Sequence, residues 1–200
     1  MTVKDKILKE LKEIDREGIS EIIKYLEESS FFSDPASCSG HNSYEGGLAE
    51  HSLNTYTLLK RHCEKEEFYE KLKDTVVIVG LLHDISLIGT FEKSFRNTPM
   101  KGKDGRNKKD EFKKLIFVEK PFYSRVPASL PYPITVLSSI MIKKHMSLTK
   151  LEDLAIIWNM PEDKNRVVEL EAAAAHRLVL YTQFANYEAE LFHSNKEQQC

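Results

Sequence analysis

Apolar residues recur every three to four positions through most of this chain, a pattern that predicts a protein built mainly from helices. Between residues 3 and 28 the pattern is interrupted at Gly18, so we expect two short helices that meet there. The same period predicts further helices over residues 47–64, 75–85, 134–144, 151–159 and 164–193. The helix over residues 75–85 contains the unbroken apolar run VVIVGLL and should be buried on most of its sides.

Two segments do not follow the helical pattern. Residues 29–47 read SSFFSDPASCSGHNSYEGG and combine many small polar residues with three aromatic ones, which predicts an ordered loop. Residues 93–114 hold nine basic and three acidic side chains, a net charge of +6. The turn sequence KGKDGRN followed by the apolar run LIFV predicts a small β-hairpin. We place this basic loop and hairpin insertion at residues 93–128.

Length and composition favour a single folded unit. With 200 residues, of which 41% are hydrophobic, the chain can bury one core, and we treat residues 1–200 as one domain. The 29 basic and 31 acidic residues give a net charge of -2. This balance argues against a dedicated nucleic-acid-binding protein and against a polybasic membrane protein.

The sequence also predicts a cytoplasmic protein. No apolar stretch approaches the roughly 18 residues of a membrane span, and the first residues lack the apolar core of a signal peptide. Three cysteines, Cys38, Cys63 and Cys200, are widely separated and odd in number, so no disulfide framework is expected.

Two histidines and an aspartate are candidate metal ligands. Neighbouring side chains in the middle of a helix diverge by about 100°, so His83 and Asp84 can converge on one ion only where a helix ends. The sequence LLHDISLIG supplies such an end, and His51 lies on another helix some thirty residues earlier. Two imidazoles and a carboxylate suit a divalent metal such as Mn, Fe, Ni or Zn. Taken singly, a histidine such as His51 is more often a surface or satisfied core histidine than a metal ligand.

The order of these three residues in a helical chain resembles the HD-domain metal-dependent phosphohydrolases. The phrases FFSDPAS, HNSYEGGLAEHSL and LLHDI resemble a compact branch of that family found in Firmicutes and their phages. Together with KSFRN, LTKLEDLAIIWNM and LVLYTQFANYEAE, the resemblance covers about three quarters of the chain. It implies an all-α fold, an HD-domain helical bundle, with a metal held by His51, His83, Asp84 and a late aspartate.

This chain departs from that pattern at several polar positions. The late aspartate is replaced by Asn186, so the implied fourth ligand is a neutral amide and the metal site is expected to be weak or vestigial. Other charged or metal-binding positions of the branch are apolar or uncharged here, at Leu87, Ile134, Val136, Leu137, Asn159 and Gln183. Losses of this kind favour a protein that binds its ligand without hydrolysing it.

Residue types suited to binding a ligand, as opposed to hydrolysing it, are retained from the resembled family. Guanidinium and ammonium groups hold phosphate oxygens, and aromatic faces stack on bases. We therefore predict a ligand-binding set that consists of Phe31, Phe32, His41, Tyr44, Lys93, Arg96, Asn97, Trp158, Asn159 and Gln183. The alternatives are a solvated hairpin for the basic positions and core packing for Trp158.

The sequence thus leaves two main hypotheses. The first is a degenerate HD-domain protein that sequesters a nucleotide or cyclic nucleotide, with a divalent metal weakly held or absent. Its use by a phage against host defences follows only by analogy with the resembled branch. The alternative is an active metal-dependent phosphohydrolase acting on a nucleotide or another phosphoester. A third hypothesis is a protein interaction through the basic hairpin, and oligomerisation is left open.

Overall fold

The computed structural model describes residues 1–126, 132–160, 171 and 175–192. The chain is mostly helical and carries one small antiparallel sheet of two strands, which confirms the predicted helical fold with a hairpin. Within the described residues the α-helices are α1 (Val3–Lys12), α2 (Ile19–Glu28), α3 (Gly47–Cys63), α4 (Lys73–Leu82), α5 (Ile134–Lys143), α6 (Lys150–Ile157) and α7 (Arg177–Phe192).

The predicted helix boundaries agree with most of these elements. Gly18 directly precedes α2 and has a left-handed φ of 87°, a conformation that glycine adopts at little cost. Helix α1 already ends at Lys12, so the prediction that the two helices meet at Gly18 was wrong. The prediction that the fourth helix extends to residue 85 was wrong, because α4 ends at Leu82 and Ile85–Leu87 forms a 3₁₀ turn. Of the helix predicted over residues 164–193, positions 164–170, 172–174 and 193 lie outside the described residues.

Helices α3 and α4 lie at the centre of the fold. Helix α3 packs against both α4 and α7, and α4 also contacts α1 and α6. The apolar run of α4 is buried as predicted, from Thr75 to Leu82. The fully buried core side chains around it include Ile7, Leu11, Leu48, Leu59, Ile78 and Leu82. This packing brings the first turns of α3 next to the end of α4.

The hairpin consists of β1 (Phe91–Pro99) and β2 (Phe117–Arg125), paired without a bulge from Phe91↔Arg125 to Pro99↔Phe117. It starts two residues earlier than the predicted insertion, so Lys93, Arg96 and Asn97 lie within β1. Most hairpin residues are exposed. Within the described ranges, every helix is too short or too polar to cross a bilayer.

Candidate metal centre

The predicted ligands come from two helices that meet at the centre of the fold. His51 lies in the early turns of α3, which begins after Gly46. His83 caps the end of α4, and Asp84 begins the following 3₁₀ turn. Because α4 ends at this point, the side chains of His83 and Asp84 converge, as the sequence predicted. All three side chains are at least 92% buried.

The donor atoms of these residues form a nearly regular triangle. The Nε2 atoms of His51 and His83 are 3.3 Å apart. Oδ2 of Asp84 lies 3.5 Å from each of these nitrogens. A tetrahedral ion with ligands at about 2.1 Å holds its donor atoms about 3.4 Å apart. The three atoms therefore have the spacing required to bind one divalent ion.

A backbone contact sets the tautomer of His83. Its Nδ1 lies 3.0 Å from the carbonyl oxygen of Gly80, which can only accept, so Nδ1 carries the proton. The lone pair of Nε2 is then directed at His51 and Asp84. Metal-ligating histidines are commonly oriented by such a bond from the other ring nitrogen.

Burial and neighbouring charges favour the protonation states that a metal site needs. Complete burial lowers the pKa of His83, which keeps the imidazole neutral. Burial alone would raise the pKa of Asp84, but the adjacent His83 and His51 outweigh it, and the pKa of Asp84 is lowered. A neutral imidazole and an ionised carboxylate are the ligand forms.

Several buried polar atoms at this cluster lack hydrogen-bond partners among the described residues. They are Oδ1 of Asp84, Oδ1 of Asn186 and Nδ1 of His51. Leaving a buried acceptor unsatisfied costs about 1–3 kcal/mol. A cation bound by Asn186 would satisfy the oxygen of that amide, and a cation bound by both oxygens of Asp84 would satisfy Oδ1 of Asp84 as well. Nδ1 of His51 lacks the orienting hydrogen bond that Nδ1 of His83 makes to the backbone.

Asn186 is held in place by the end of α6. Its side-chain nitrogen donates to Oδ1 of Asn159 over 3.3 Å, and the side-chain nitrogen of Asn159 donates to the carbonyl of Ile156 over 2.9 Å. The nitrogen of the Asn186 amide is thus occupied, and its oxygen has no hydrogen-bond partner among the described residues. The Asn186 side chain also acts on His83, whose pKa it raises slightly against the larger lowering by burial, which places it beside the ring.

The residues present thus fit a divalent cation. Two imidazole nitrogens, one carboxylate and one amide oxygen make a mixed N/O donor set, and such sets bind borderline metals. The fit is weaker than with a second carboxylate, because an amide oxygen is neutral. The identity of the metal among Mn, Fe, Ni and Zn stays a prediction.

A cavity of about 220 Å³ opens beside the cluster. His41 lies on its wall with Nε2 3.7 Å from Oε1 of Glu190, and its ring centre is 6.0 Å from that of His51. Burial is the largest influence on His41 and lowers its pKa. The other lining residues are Ala36, Ser37, Cys38, Asp84, Leu87, Phe91, Arg125, Ile134 and Met160.

The aromatic residues predicted to bind ligand have mixed positions. Phe31 is fully buried in the core, where its ring packs edge-on against Phe32 at 5.1 Å. The ammonium of Lys4 lies 5.2 Å from the centre of the Phe32 ring. Tyr44 is half-buried in the loop before α3. These three residues do not line the cavity as the structure describes it.

The predicted basic positions lie on the exposed hairpin. Lys93 pairs with Glu45 at 3.2 Å, and the Arg96 guanidinium stacks 5.4 Å from the Phe122 ring centre. Asn97 pairs with Glu119 across the strands. Lys93, Arg96 and Asn97 do not line the cavity as the structure describes it.

The remaining predicted residues lie around the hydrogen bond between the side chains of Asn159 and Asn186. Gln183 donates from Nε2 to the backbone carbonyl of Trp158 over 2.9 Å, and Asn159 is fully buried beside Asn186. Trp158 is half-buried and packs against the core. The cavity residues that the sequence analysis missed include Arg125, Phe91 and Glu190. Only the hairpin register and the packing of α7 bring them there, and sequence spacing carries no signal for either.

The comparison with protein families supports the interpretation of the cluster. The family model of the HD domain matches residues 48–129, a span that contains His51, His83, Asp84 and the hairpin. This match supports the assignment of that span to the HD-domain family. No curated protein and no solved structure matches the chain. The resemblance to one branch of the family therefore stays a prediction.

Proposed function

Given an HD domain over residues 48–129, we propose that this chain binds a divalent cation and uses it to hold a phosphate-bearing small molecule without turning it over. The observation that carries the proposal is the triangle of His51, His83 and Asp84 donors at 3.3–3.5 Å, with the buried Oδ1 of Asn186 lacking a hydrogen-bond partner among the described residues. The ligands would be these three residues and Oδ1 of Asn186.

The charge of this ligand set favours anion binding. When bound, a divalent cation supplies a Lewis-acidic contact for a phosphate oxygen. Asp84 contributes one negative charge and Asn186 none, so the loaded cluster would carry a net charge of +1. A second carboxylate would reduce that to zero. The amide thus weakens the hold on the cation and strengthens the attraction of the loaded site for a phosphate.

Two of the positions that line the cavity cannot transfer protons. Hydrolysis of a phosphoester needs a group that protonates the leaving oxygen. Leu87 and Ile134 are both apolar and both line the cavity. Their side chains support binding over turnover.

One observation favours the alternative of an active phosphohydrolase. His41 and Glu190 lie on the same cavity wall, 3.7 Å apart, and both side chains can carry a proton. If the bound ester placed its leaving oxygen near this pair, the pair would be the proton donor. The two functions therefore differ in whether His41 and Glu190 reach the ligand.

The ligand class is proposed from the size and charge of the site. A cavity of about 220 Å³ is smaller than the roughly 300–1,000 Å³ of drug-sized ligand sites. A nucleotide or cyclic nucleotide would insert its phosphate and leave its base outside. A role in phage defence evasion follows from the sequence resemblance alone.

One incubation separates the two functions. The protein is mixed with Mn²⁺ and a panel of nucleotides and cyclic nucleotides, filtered, and then heat-denatured, with chromatography of both fractions. Binding without turnover predicts a compound that leaves the filtrate and returns unaltered after heating. Asp84→Asn should abolish this retention, whereas Asp104→Asn, at the exposed hairpin tip, should not. New products that require Asp84 would establish the hydrolase and contradict the proposal.

A further inference from the structure

The cavity beside the metal cluster is lined by two chemically different sets of side chains. One set is polar and includes His41, His51, Asp84 and Glu190. The other set is apolar and includes Leu87, Phe91, Ile134 and Met160. A ligand that contacts both sets must combine a charged or metal-binding head with an apolar body.

Arg125 is the hairpin cation that reaches this cavity. It is the last residue of β2 and pairs with Phe91, the first residue of β1, so both lie where the hairpin joins the helical body. Both residues line the cavity. The register of the hairpin thus places a guanidinium beside an aromatic ring at the opening.

The guanidinium of Arg125 is available for a ligand. In the described part of the chain no carboxylate forms an ion pair with it, whereas Lys93 on the same hairpin is paired with Glu45. Of the two carboxylates that line the cavity, Glu190 lies against His41, and Asp84 lies against His51 and His83. Guanidinium groups bind phosphate and phosphonate oxygens with two parallel hydrogen bonds.

We infer that Arg125 binds the anionic head of a small organic phosphate, and that Phe91 and Met160 contact an apolar or aromatic group attached to it. The inference deepens and rests on the proposed function, since it places the same head between Arg125 and the metal cluster. The cavity volume of about 220 Å³ suits a ligand of aryl phosphate size. Selectivity for the apolar group would then come from Phe91, not from the basic hairpin surface.

Calorimetric titration with phosphonates tests this inference, because phosphonates cannot be hydrolysed. The Mn²⁺-loaded protein should bind phenylphosphonate about tenfold more tightly than methylphosphonate. Arg125→Ala should weaken both by about tenfold or more, and Arg125→Lys should weaken both by less. Lys120→Ala removes a positive charge from the same strand at an exposed position and should leave both affinities unchanged.

The contribution of the Phe91 ring is tested by the ratio of the affinities for phenylphosphonate and methylphosphonate. Phe91→Leu keeps the packing against the core and should reduce the preference for phenylphosphonate about threefold or more. Equal affinities for the two phosphonates, or an Arg125→Ala variant that binds as tightly as the parent, would overturn the inference.

A separate titration with Mn²⁺ alone distinguishes this inference from the proposed function. If the ion fails to bind but phenylphosphonate binds in an Arg125-dependent way, the proposed function fails and the inference is supported. If the ion binds and the phosphonates do not depend on Arg125, the proposed function survives and the inference fails.

Discussion

Asn186 donates a hydrogen bond from its side-chain amide to Oδ1 of Asn159 over 3.3 Å, from α7 to the turn that follows α6. Because Asn159 is itself anchored to the backbone of Ile156, the nitrogen end of the Asn186 amide is committed to this bond. Its oxygen is left buried, with no hydrogen-bond partner among the described residues, beside His83. The position at which the sequence resemblance predicts an aspartate therefore still has a buried oxygen beside His83.

Asn186→Asp should strengthen the binding of divalent ions. The substitution replaces a neutral oxygen with an ionised one, and the charge of the ligands largely sets the affinity of such sites. It also removes the amide nitrogen that donates to Oδ1 of Asn159, so the Asn159 side chain must turn its own nitrogen towards the new carboxylate. We expect the affinity for Mn²⁺ or Zn²⁺ to rise at least about tenfold, measured by isothermal titration.

Asn97→Asp is the matched control for this change. It adds the same negative charge on the exposed face of the hairpin, away from the cluster, and should leave the affinity unaltered. If Asn186→Asp gained no more than this control, Oδ1 of Asn186 would not be a ligand.

The sequence predicted the cluster because its chemistry depends on local structure. The convergence of His83 and Asp84 requires only that a helix ends there, and the run VVIVGLL followed by HD indicates both burial and the end. The helical period of the residues around His51 also predicted that it lies on a second helix. What the sequence did not specify was the distance between the helices, which is set by Gly80 against Tyr56.

The rest of the site depends on contacts that periodicity does not encode. Arg125 reaches the cavity only through the register of the hairpin, and Glu190 only through the packing of α7. Phe31 shows the opposite error. Because it is an aromatic residue in a polar loop, it was predicted to contact the ligand. In the fold the surrounding helices bury it completely.

Gly80→Ala should damage both stability and metal binding. A Cβ at this position would lie 2.6 Å from the backbone Cα of Tyr56, so α4 would have to move away from α3. Overpacking of this kind costs about 1–3 kcal/mol. His83 donates a hydrogen bond to the Gly80 carbonyl, so it would move with α4 away from His51. We expect a lower urea midpoint and weaker Mn²⁺ binding.

The hairpin offers a control for the glycine substitution. Gly102→Ala meets only the far end of the Asp104 side chain, which can rotate away, so it should change neither measurement. Unchanged Mn²⁺ affinity in Gly80→Ala would show that the α3–α4 distance does not determine the metal geometry.

The two described cysteines should differ sharply towards alkylating reagents. Cys63 is fully buried, and burial raises the pKa of its thiol to about 12. Only about one thiol in ten thousand would be ionised at pH 8, and the thiolate is the reactive form. Cys38 lies partly exposed on the cavity wall. Peptide mapping after iodoacetamide treatment should find Cys38 modified in the native protein and Cys63 only after denaturation. Rapid native labelling of Cys63 would contradict its burial.

The ion pair between Arg16 and Glu152 should stabilise the fold far more than a surface pair does. Nη1 of Arg16 lies 2.6 Å from Oε1 of Glu152, whose side chain is completely buried at the start of α6. Arg16→Ala would leave that carboxylate buried without its counter-charge, which should lower the free energy of unfolding by about 2–4 kcal/mol. Lys24→Ala removes the exposed partner of Glu28 at 3.9 Å and should have little measurable effect. Urea unfolding of both variants checks this, and similar losses in the two would mean that burial of Glu152 does not amplify its pairing.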